Sequence, residues 1–372
     1  MDFSIKRDVF LGGIQKTLGI VEKKTTMPIL NNLLLRTDGQ RLKIMATDRE
    51  IGLVADYAAE VHREGDITLS AKKLYEMVRE IQGEMILVSK SDRDVVTLTC
   101  NKAVYRLPGI PADDYPVVID HDEMTLRKMK GAVLRELIRK TSFAISTDEM
   151  RRNLNGVFLE MGMEGEGSWI SMVATDGHRL ATMKLVTGEH DFPVLEKGVI
   201  IPRKGLGEIR RLLEDEAGEV WLDVRKGVLI LKTDHTLLRV SLIDGDYPDY
   251  RRVIPVEKGI ELKVEKEKLL RALRRMSVIS SERYNGVVLT VTAGRIVLNS
   301  TNPDVGEAND EIDIDYQGEE RSVGYNVTYL TEAVEVVDEE RILLEIGEGM
   351  KPGVVRAVGN DDYLCIVMPL KL

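Results

Sequence analysis

Hydrophobic and polar positions along the chain follow two patterns, one typical of strands and one typical of amphipathic helices. Short runs such as Val95–Cys100 and Val220–Val224 alternate at period two and are bounded by Gly, Asp and Asn, which predicts strands that bury one face. Asp8–Val21 and Ala132–Ser142 instead place apolar residues at helical spacing. The chain therefore predicts an α+β protein with antiparallel sheets.

The same order of predicted elements occurs three times. Each copy begins with a strand and a helix, continues with a strand introduced by asparagine, and then reaches a short turn phrase with a threonine. These threonines are Thr47, Thr175 and Thr301, so the copies are 128 and 126 residues apart. Self-similarity at a nearly fixed spacing indicates one structural unit built three times.

A second helix and further alternating strands complete every copy. These helices are predicted to begin near Ser70, Ile201 and Tyr325. Proline and acidic turn residues at 111–116 and 244–250 are typical of linkers. We therefore predict three domains of similar design, at residues 1–121, 122–255 and 256–372, each with two helices packed on antiparallel sheets.

Composition narrows the class of protein. The chain is 43% hydrophobic and 31% charged, which is typical of a globular protein, and its apolar runs are too short to span a bilayer. The N-terminus has no secretory apolar core. Cys100 and Cys365 are too few for a disulfide framework or a cysteine zinc site. We expect a cytoplasmic protein that has no membrane partner.

Charge is sorted between the helices and the rest of the chain. The predicted helices hold 23 basic and 10 acidic residues, whereas the remainder holds 29 and 52, so a net charge of −10 conceals a positive helix surface. Such a surface binds a phosphate backbone weakly, without sequence preference and with strong salt dependence. Aromatic residues are only 5%, which disfavours single-strand binding by stacking. A solvated helix face remains the alternative for Arg271, Arg274 and Arg275.

The phrase Ser171–Leu180 carries the most chemistry, because Asp176, His178 and Arg179 lie together in it. An acid–base pair of Asp176 and His178 would suit an enzyme. No nucleophile elbow or metal-ligand spacing accompanies them, and the first copy keeps Thr47-Asp48 without a histidine. We therefore expect no catalysis, no metal and no cofactor. A plain structural turn, and a scaffold that gathers proteins without DNA, remain alternatives.

Five sequence blocks occur in order over the whole chain: Met27–Asn31, Ala174–Leu180, Ile201–Gly205, Asp249–Val253 and Val367–Pro369. Together they resemble the bacterial sliding clamp family, the beta subunit of the replicative DNA polymerase III. The resemblance implies the DNA-clamp fold and a head-to-tail homodimer of six domains that encircles double-stranded DNA, with helices lining the hole. It implies a non-catalytic processivity factor of DNA replication that slides on DNA.

The same resemblance implies a pocket for short hydrophobic peptides of polymerases, the clamp loader, and mismatch-repair and ligase partners. Carried over position by position, the pocket comprises Leu154, Thr175, Gly177, His178, Arg179, Leu180, Pro248, Arg252, Val253, Met350, Pro352, Ile366, Val367, Met368, Pro369 and Leu370. The DNA-facing positions it implies are Lys24, Lys72, Glu149, Arg151, Arg152, Arg203 and Lys204. The ring joint it implies pairs Tyr105 and Leu107 of one chain with Val278 and Ile279 of the other.

The chain departs from the family pattern at three places. Arg152 and Asn153 stand where members can carry two tyrosines, so we expect more electrostatic DNA contacts from this loop. The tail ends Leu370-Lys371-Leu372, which keeps an apolar residue and a cation. The sixth helix has no basic residue, so we expect it to contribute little to DNA binding.

Overall fold

The predicted threefold order of elements is present in the structure. The computed structural model describes residues 1–21, 27–116, 118, 125–165, 167–187, 194–215, 218–280 and 285–371. The first repeat contains β1 (Asp2–Lys6), α1 (Arg7–Thr17), β2 (Asn32–Asp38), β3 (Arg41–Thr47), β4 (Ile51–Ala58), β5 (Glu60–Arg63), β6 (Gly65–Ser70), α2 (Ala71–Glu80), β7 (Met85–Lys90), β8 (Val95–Cys100) and β9 (Ala103–Pro108).

The other two repeats follow the same plan. The second contains β10 (Arg127–Lys130), α3 (Gly131–Thr141), β11 (Gly156–Glu164), β12 (Gly167–Thr175), β13 (Arg179–Thr187), β14 (Val199–Pro202), α4 (Arg203–Asp215), β15 (Glu219–Arg225), β16 (Val228–Lys232) and β17 (Thr236–Ser241). The third contains β18 (Ile260–Glu265), α5 (Lys266–Ser277), β19 (Gly286–Thr292), β20 (Arg295–Asn302), β21 (Gly306–Asp313), β22 (Arg321–Asn326), α6 (Val327–Glu335), β23 (Arg341–Ile346), β24 (Gly353–Ala357) and β25 (Asn360–Val367).

Local sequence accounts for most element limits. In β8 the side chains of Val96, Leu98 and Cys100 are buried while their neighbours are half-exposed, as the period-two pattern predicts. The side chain of Asn326 accepts hydrogen bonds from the first-turn amides of Thr328 and Tyr329 and so caps α6. The predicted first helix reached Val21, but α1 ends at Thr17, whose hydroxyl donates to the carbonyl of Ile14 at 2.7 Å.

Two compact units divide the described chain. One contains Met1–Ala132 and Lys204–Leu242, and the other contains Val133–Arg203 and Ile243–Leu372. These divisions do not fall at residues 121 and 255, because each unit combines half of the second repeat with one outer repeat. The three-domain boundaries therefore stay predictions.

Each unit contains one small sheet and one eight-stranded antiparallel sheet. In the first unit the strand orders are β5-β1-β7-β8-β9 and β10-β15-β16-β17-β4-β3-β2-β6. In the second unit they are β14-β11-β12-β13-β25-β24-β23-β18 and β21-β20-β19-β22. Each large sheet thus joins strands of two successive repeats.

The two joins have the same register. In the first unit Val240 of β17 opposes Ile51 of β4, and the amide of Ser241 donates to the carbonyl of Glu50 at 2.8 Å. In the second unit Val367 of β25 opposes Arg179 of β13, and the amide of Met368 donates to the carbonyl of His178 at 2.9 Å. Ile51 and Arg179 are each four residues beyond the repeated threonine, so the joins are structural copies.

Candidate functional site

The turn phrase of the second repeat is fixed by its own side chains. The hydroxyl of Thr175 donates to the carbonyl of Arg179 at 2.6 Å and accepts from the amide of Gly177 at 3.1 Å. Asp176 Oδ1 accepts from the amides of His178 at 2.9 Å and Arg179 at 3.0 Å. Gly177 has φ = 88°, a conformation in which a Cβ is strained. The tight turn therefore exposes His178 at a defined position.

The first repeat makes the same turn without a glycine. Thr47 bonds the carbonyl of Ile51 at 2.8 Å, and Asp48 Oδ1 accepts from the amides of Glu50 and Ile51 at 2.9 and 2.6 Å. Arg49 occupies the position of Gly177 and has φ = 80°. The Thr-Asp turn is thus a scaffold element, and the residues at its tip distinguish the copies.

Arg179 is held inside the protein. Its side chain is 9% exposed; Nε donates to Asp176 Oδ2 at 3.1 Å, and one terminal nitrogen pairs with Glu332 of α6. The other terminal nitrogen donates to the carbonyl of Phe143 at 2.7 Å, and the guanidinium lies 4.3 Å from the ring centroid of Tyr329. Because every nitrogen of its guanidinium already has a hydrogen-bond or ion-pair partner, Arg179 contributes to the site by holding those partners in place.

The last strand brings the tail of the chain beside this turn. Leu180 opposes Ile366, and beyond β25 the amide of Leu370 donates to the carbonyl of Gly324 at 2.8 Å. Gly353 opposes Val367, so Pro352 lies beside the start of the tail. Residues far apart in sequence, including Pro369 between the two anchored amides, thereby form one region.

This region has a buried apolar floor and an exposed apolar rim. Leu180 and Ile366 pack with Val173 and Tyr250, at exposures of 9% or less. Leu154 and Val367 are also buried. Four large apolar side chains on the segments that flank this floor are exposed, and we call them the rim: Val253 (49% exposed), Met350 (59%), Met368 (39%) and Leu370 (39%). Exposed large apolar side chains beside a buried apolar floor suit a binding surface.

The segment 247–254, which contains Pro248, packs against the floor of the region. Tyr247 stacks on Phe158 with ring centroids 4.8 Å apart, and the hydroxyl of Tyr250 donates to Glu160 at 2.8 Å. Burial raises the pKa of Tyr250, and the hydrogen bond to Glu160 raises it further. Tyr250 and Ile254 both contact the floor, so the intervening Arg252 and Val253 are held above it.

Sequence reasoning missed two residues that support the turn. Tyr329 lies beneath Arg179, and its ring is 6.3 Å from that of His178. Glu332 neutralises Arg179 from one helical turn further along α6. In the sequence these two residues indicate only that α6 is amphipathic. The turn that they contact is more than 140 residues away, so local patterns could not reveal the contact.

The predicted DNA-facing residues are in different situations. Lys24 lies outside the described residues. Glu149, Arg151 and Arg152 are exposed on the loop before Leu154, where Arg151 donates to the carbonyl of Asp176 at 3.4 Å. Lys72, Arg203 and Lys204 are all exposed near the starts of α2 and α4. Lys204, at 42% exposure, forms an ion pair with Asp48, and Lys72, at 79%, forms a longer one with Glu76 at 3.9 Å.

Two groups of residues were predicted to form a ring joint. Tyr105 and Leu107 lie on β9, the edge strand of the five-stranded sheet, and Leu107 is buried. Val278 and Ile279 follow α5, and Val278 is 76% exposed. The two groups are in different units of one chain.

The carboxylate in the turn is already used by other groups. The carboxylate of Asp176 is used by two backbone amides and by Arg179, so it is not directed at His178 as a general base partner. Among the described residues there is no cluster of three or more His, Cys, Asp or Glu side chains that could hold a metal, and no helix is long and apolar enough to cross a membrane.

Comparisons with known proteins cover the whole chain. Models of the N-terminal, central and C-terminal domains of the DNA polymerase III beta subunit match residues 1–119, 128–249 and 251–371. The beta sliding clamp of Pseudomonas putida is 33% identical over 377 residues, which is 100% of both chains. The crystal structure of the DNA polymerase III subunit beta from Pseudomonas aeruginosa has a TM-score of 0.91 at 31% identity and covers 100% of both chains. A sliding clamp from Bartonella birtlesii bound to griselimycin has a TM-score of 0.93 at 28% identity, again over 100% of both chains. The predicted fold of three tandem clamp domains is therefore confirmed.

Proposed function

This chain belongs to the beta sliding clamp family of DNA polymerase III, and on that basis we propose that two copies close head to tail around duplex DNA and tether partner proteins to it. The three domains at 1–121, 122–255 and 256–372 would make six domains in the ring. The chain would act without a cofactor as a bacterial, cytoplasmic accessory subunit.

One observation of sheet edges supports the dimer most directly. The exit strands β17 and β25 pair with β4 and β13 in matching registers. The remaining exit strand is β9, and the remaining counterpart of β4 and β13 is β21. Both are edge strands of their sheets among the described residues. Because unpaired edges present hydrogen-bonding groups, β9 of one chain is suited to pair with β21 of another.

The internal joins also give a register for the joint between chains. The hairpin before β9 closes with Cys100 opposite Ala103, and the hairpin before β17 closes with Thr233 opposite Thr236. Leu107 and Val240 each lie four residues beyond the second residue of that pair, so they occupy equivalent positions. Val305 is four residues beyond Thr301 and so corresponds to Ile51. We expect Leu107 to oppose Val305 of the partner subunit, and Val305 is 63% exposed within its own chain.

A cysteine cross-link tests this register. With Leu107→Cys and Val305→Cys in one chain, oxidation should give a covalent dimer, since opposed strand residues are close enough for a disulfide. The matched control replaces Val305→Cys by Glu307→Cys, which shifts the pair by two residues and should cross-link weakly. Equal cross-linking by both pairs, or a monomeric solution mass at micromolar concentration, would refute the head-to-tail dimer.

The holding of DNA would be topological. Exposed cations such as Lys72, Arg152 and Arg203 would make weak phosphate contacts that exchange rapidly, while closure of the ring keeps the protein on DNA. The protein should therefore stay on a nicked circle at high salt after loading and leave once the circle is linearised. Loss at high salt from both forms would contradict encirclement.

Partners would dock on the rim formed by Val253, Met350, Met368 and Leu370. The floor beneath it is preformed, and its side chains are held by β13, β25 and the segment from Tyr247 to Ile254. An extended peptide with apolar side chains suits a surface beside a strand end. Leu154, Thr175, Gly177, His178 and Leu180 would complete the pocket, and Arg179 would support it from within.

A further inference from the structure

The turn aspartate of the second repeat has a second oxygen that faces a cation. Asp176 Oδ1 is used by the backbone, and Oδ2 contacts Arg179, which then reaches Glu332 on α6. This chain of acid, cation and acid joins the second repeat to the helix of the third repeat. All three residues belong to the second compact unit.

The first unit has the same arrangement with a different source of the cation. The side chain of Asp48 is 2% exposed, and its Oδ2 pairs with Lys204, the second residue of α4. Glu208 follows one helical turn later and is 7% exposed. Burial raises the pKa of Glu208, although the nearby charges of Arg211 and Lys204 lower it. Lys204 is ion-paired with Asp48 at the junction of the first and second repeats, and its charge also acts on Glu208, whose own ion pair is with Arg211 at 2.8 Å.

The helices show the same positions in all three repeats. The sixth residue is Glu76 in α2, Glu208 in α4 and Glu332 in α6. The second residue is Lys72 in α2 and Lys204 in α4, whereas α6 has Thr328 and takes its cation from Arg179. The helix glutamate of the arrangement is therefore present in each repeat, and the helix cation in the first two.

The turn of the third repeat lacks the acid. Asn302 stands where Asp48 and Asp176 stand, and its Oδ1 likewise accepts an amide two residues later, from Asp304 at 3.0 Å. Its Nδ2 donates to the carbonyl of Ile279 at 2.9 Å. An amide nitrogen replaces the carboxylate oxygen that receives a cation in the other two turns.

We propose that an acid–cation–acid clasp fastens each junction inside the chain, with Lys204 and Arg179 as its positioning residues, and that the joint between chains has no such clasp. The second half of this statement rests on the proposed head-to-tail ring, in which α2 of one chain meets the Asn302 turn of the other. Lys72 is then left for phosphate binding, whereas Lys204 is committed to Asp48. Lys72 is 79% exposed, and its ion pair with Glu76 is long, at 3.9 Å.

The matched variants Lys204→Met and Lys72→Met test the division of roles, since each removes one charge from the second position of a helix. Lys204→Met leaves the buried Asp48 carboxylate without its cation and should lower the thermal unfolding midpoint by roughly 3–6 °C. Lys72→Met should change it by less than about 1 °C. An unchanged midpoint for Lys204→Met would overturn the clasp.

The double variant Asp48→Asn/Lys204→Met tests the pairing itself. Asp48→Asn keeps the Oδ1 cap and removes the charge, so it should restore at least about half of the midpoint lost in Lys204→Met. Losses that simply add would contradict a direct clasp.

DNA binding gives a readout that a purely structural role would not change. On a short duplex, Lys72→Met should reduce the slope of log affinity against log salt by about one, and Lys204→Met should reduce it by clearly less. Equal reductions would overturn the assignment of Lys204.

Dimer dissociation tests the joint between chains. Lys72→Met should leave the dissociation constant within about twofold, because Asn302 has a neutral amide where Asp48 and Asp176 have the buried carboxylate that receives a cation; a tenfold increase would refute the absence of a clasp there. A monomeric wild-type protein would refute the proposed ring, whereas the unfolding experiments would still decide the clasps inside the chain.

Discussion

Shortening Met368 tests whether the exposed apolar rim is the docking surface. Fully burying a methionine side chain is worth about 1.5–3 kcal/mol. Met368 is 39% exposed, so a docked peptide can newly cover at most that fraction. The corresponding loss for Met368→Ala is about 0.6–1.2 kcal/mol, or roughly a three- to eightfold weaker complex.

The measurement is fluorescence anisotropy of a labelled apolar peptide from the C-terminus of a replicative polymerase. Met163→Ala is the matched control, because Met163 is 41% exposed and lies at the opposite end of the same sheet, next to Ser168. The control should keep wild-type affinity. Both variants should keep the unfolding midpoint within about 2 °C, since neither side chain fills the core.

A floor residue should behave differently from the rim. Leu180 is 3% exposed, so Leu180→Ala should lower the free energy of unfolding by about 2–5 kcal/mol as well as weakening the peptide complex. Equal affinities for Met368→Ala and Met163→Ala would refute the assignment of Met368 to the docking surface.

Three other predictions follow from the turns, an ion pair and the joint. Gly177→Ala should lower the free energy of unfolding by about 1–2 kcal/mol because φ is 88° at this position. Arg49→Gly, at φ = 80°, should raise the free energy of unfolding by up to about 1 kcal/mol. Denaturant titration measures both, and a Gly177→Ala variant more stable than wild type would contradict the backbone strain. Burial would raise the pKa of Asp338, but hydrogen bonds from Lys140 and Arg139 hold it below its usual value. The ionised form of Asp338 therefore stabilises the fold above about pH 4, and this stabilisation is lost as the pH falls further. Asp338→Asn should lower the free energy of unfolding by less than about 1 kcal/mol, because the side chain is exposed, and this difference from wild type should vanish in acid. A difference that stays constant with pH would refute the prediction. Val278→Asp should raise the dimer dissociation constant at least about tenfold in analytical ultracentrifugation without changing the monomer's unfolding, since Val278 is 76% exposed; unchanged dissociation would remove it from the joint.

The sequence by itself determined the repeated features of this protein. The three copies, their strands and helices, and the Thr-Asp turn depend on local periodicity and on side chains two to four residues apart. These short-range interactions are encoded in neighbouring residues, so most element limits are within a few residues of the prediction. Resemblance to the clamp family supplied the pocket residues, which the periodicity alone did not indicate.

Only the tertiary structure decided which strands pair between repeats and which cations form ion pairs with buried or distant carboxylates. Pairing β17 with β4 and β25 with β13 brings together residues at least 180 positions apart, and this creates compact units that cross the predicted domain boundaries. The same long-range pairing sets Asp48 against Lys204 and Arg179 against Glu332. The sequence did not indicate these two ion pairs, because in each of them the acid is contributed by another repeat.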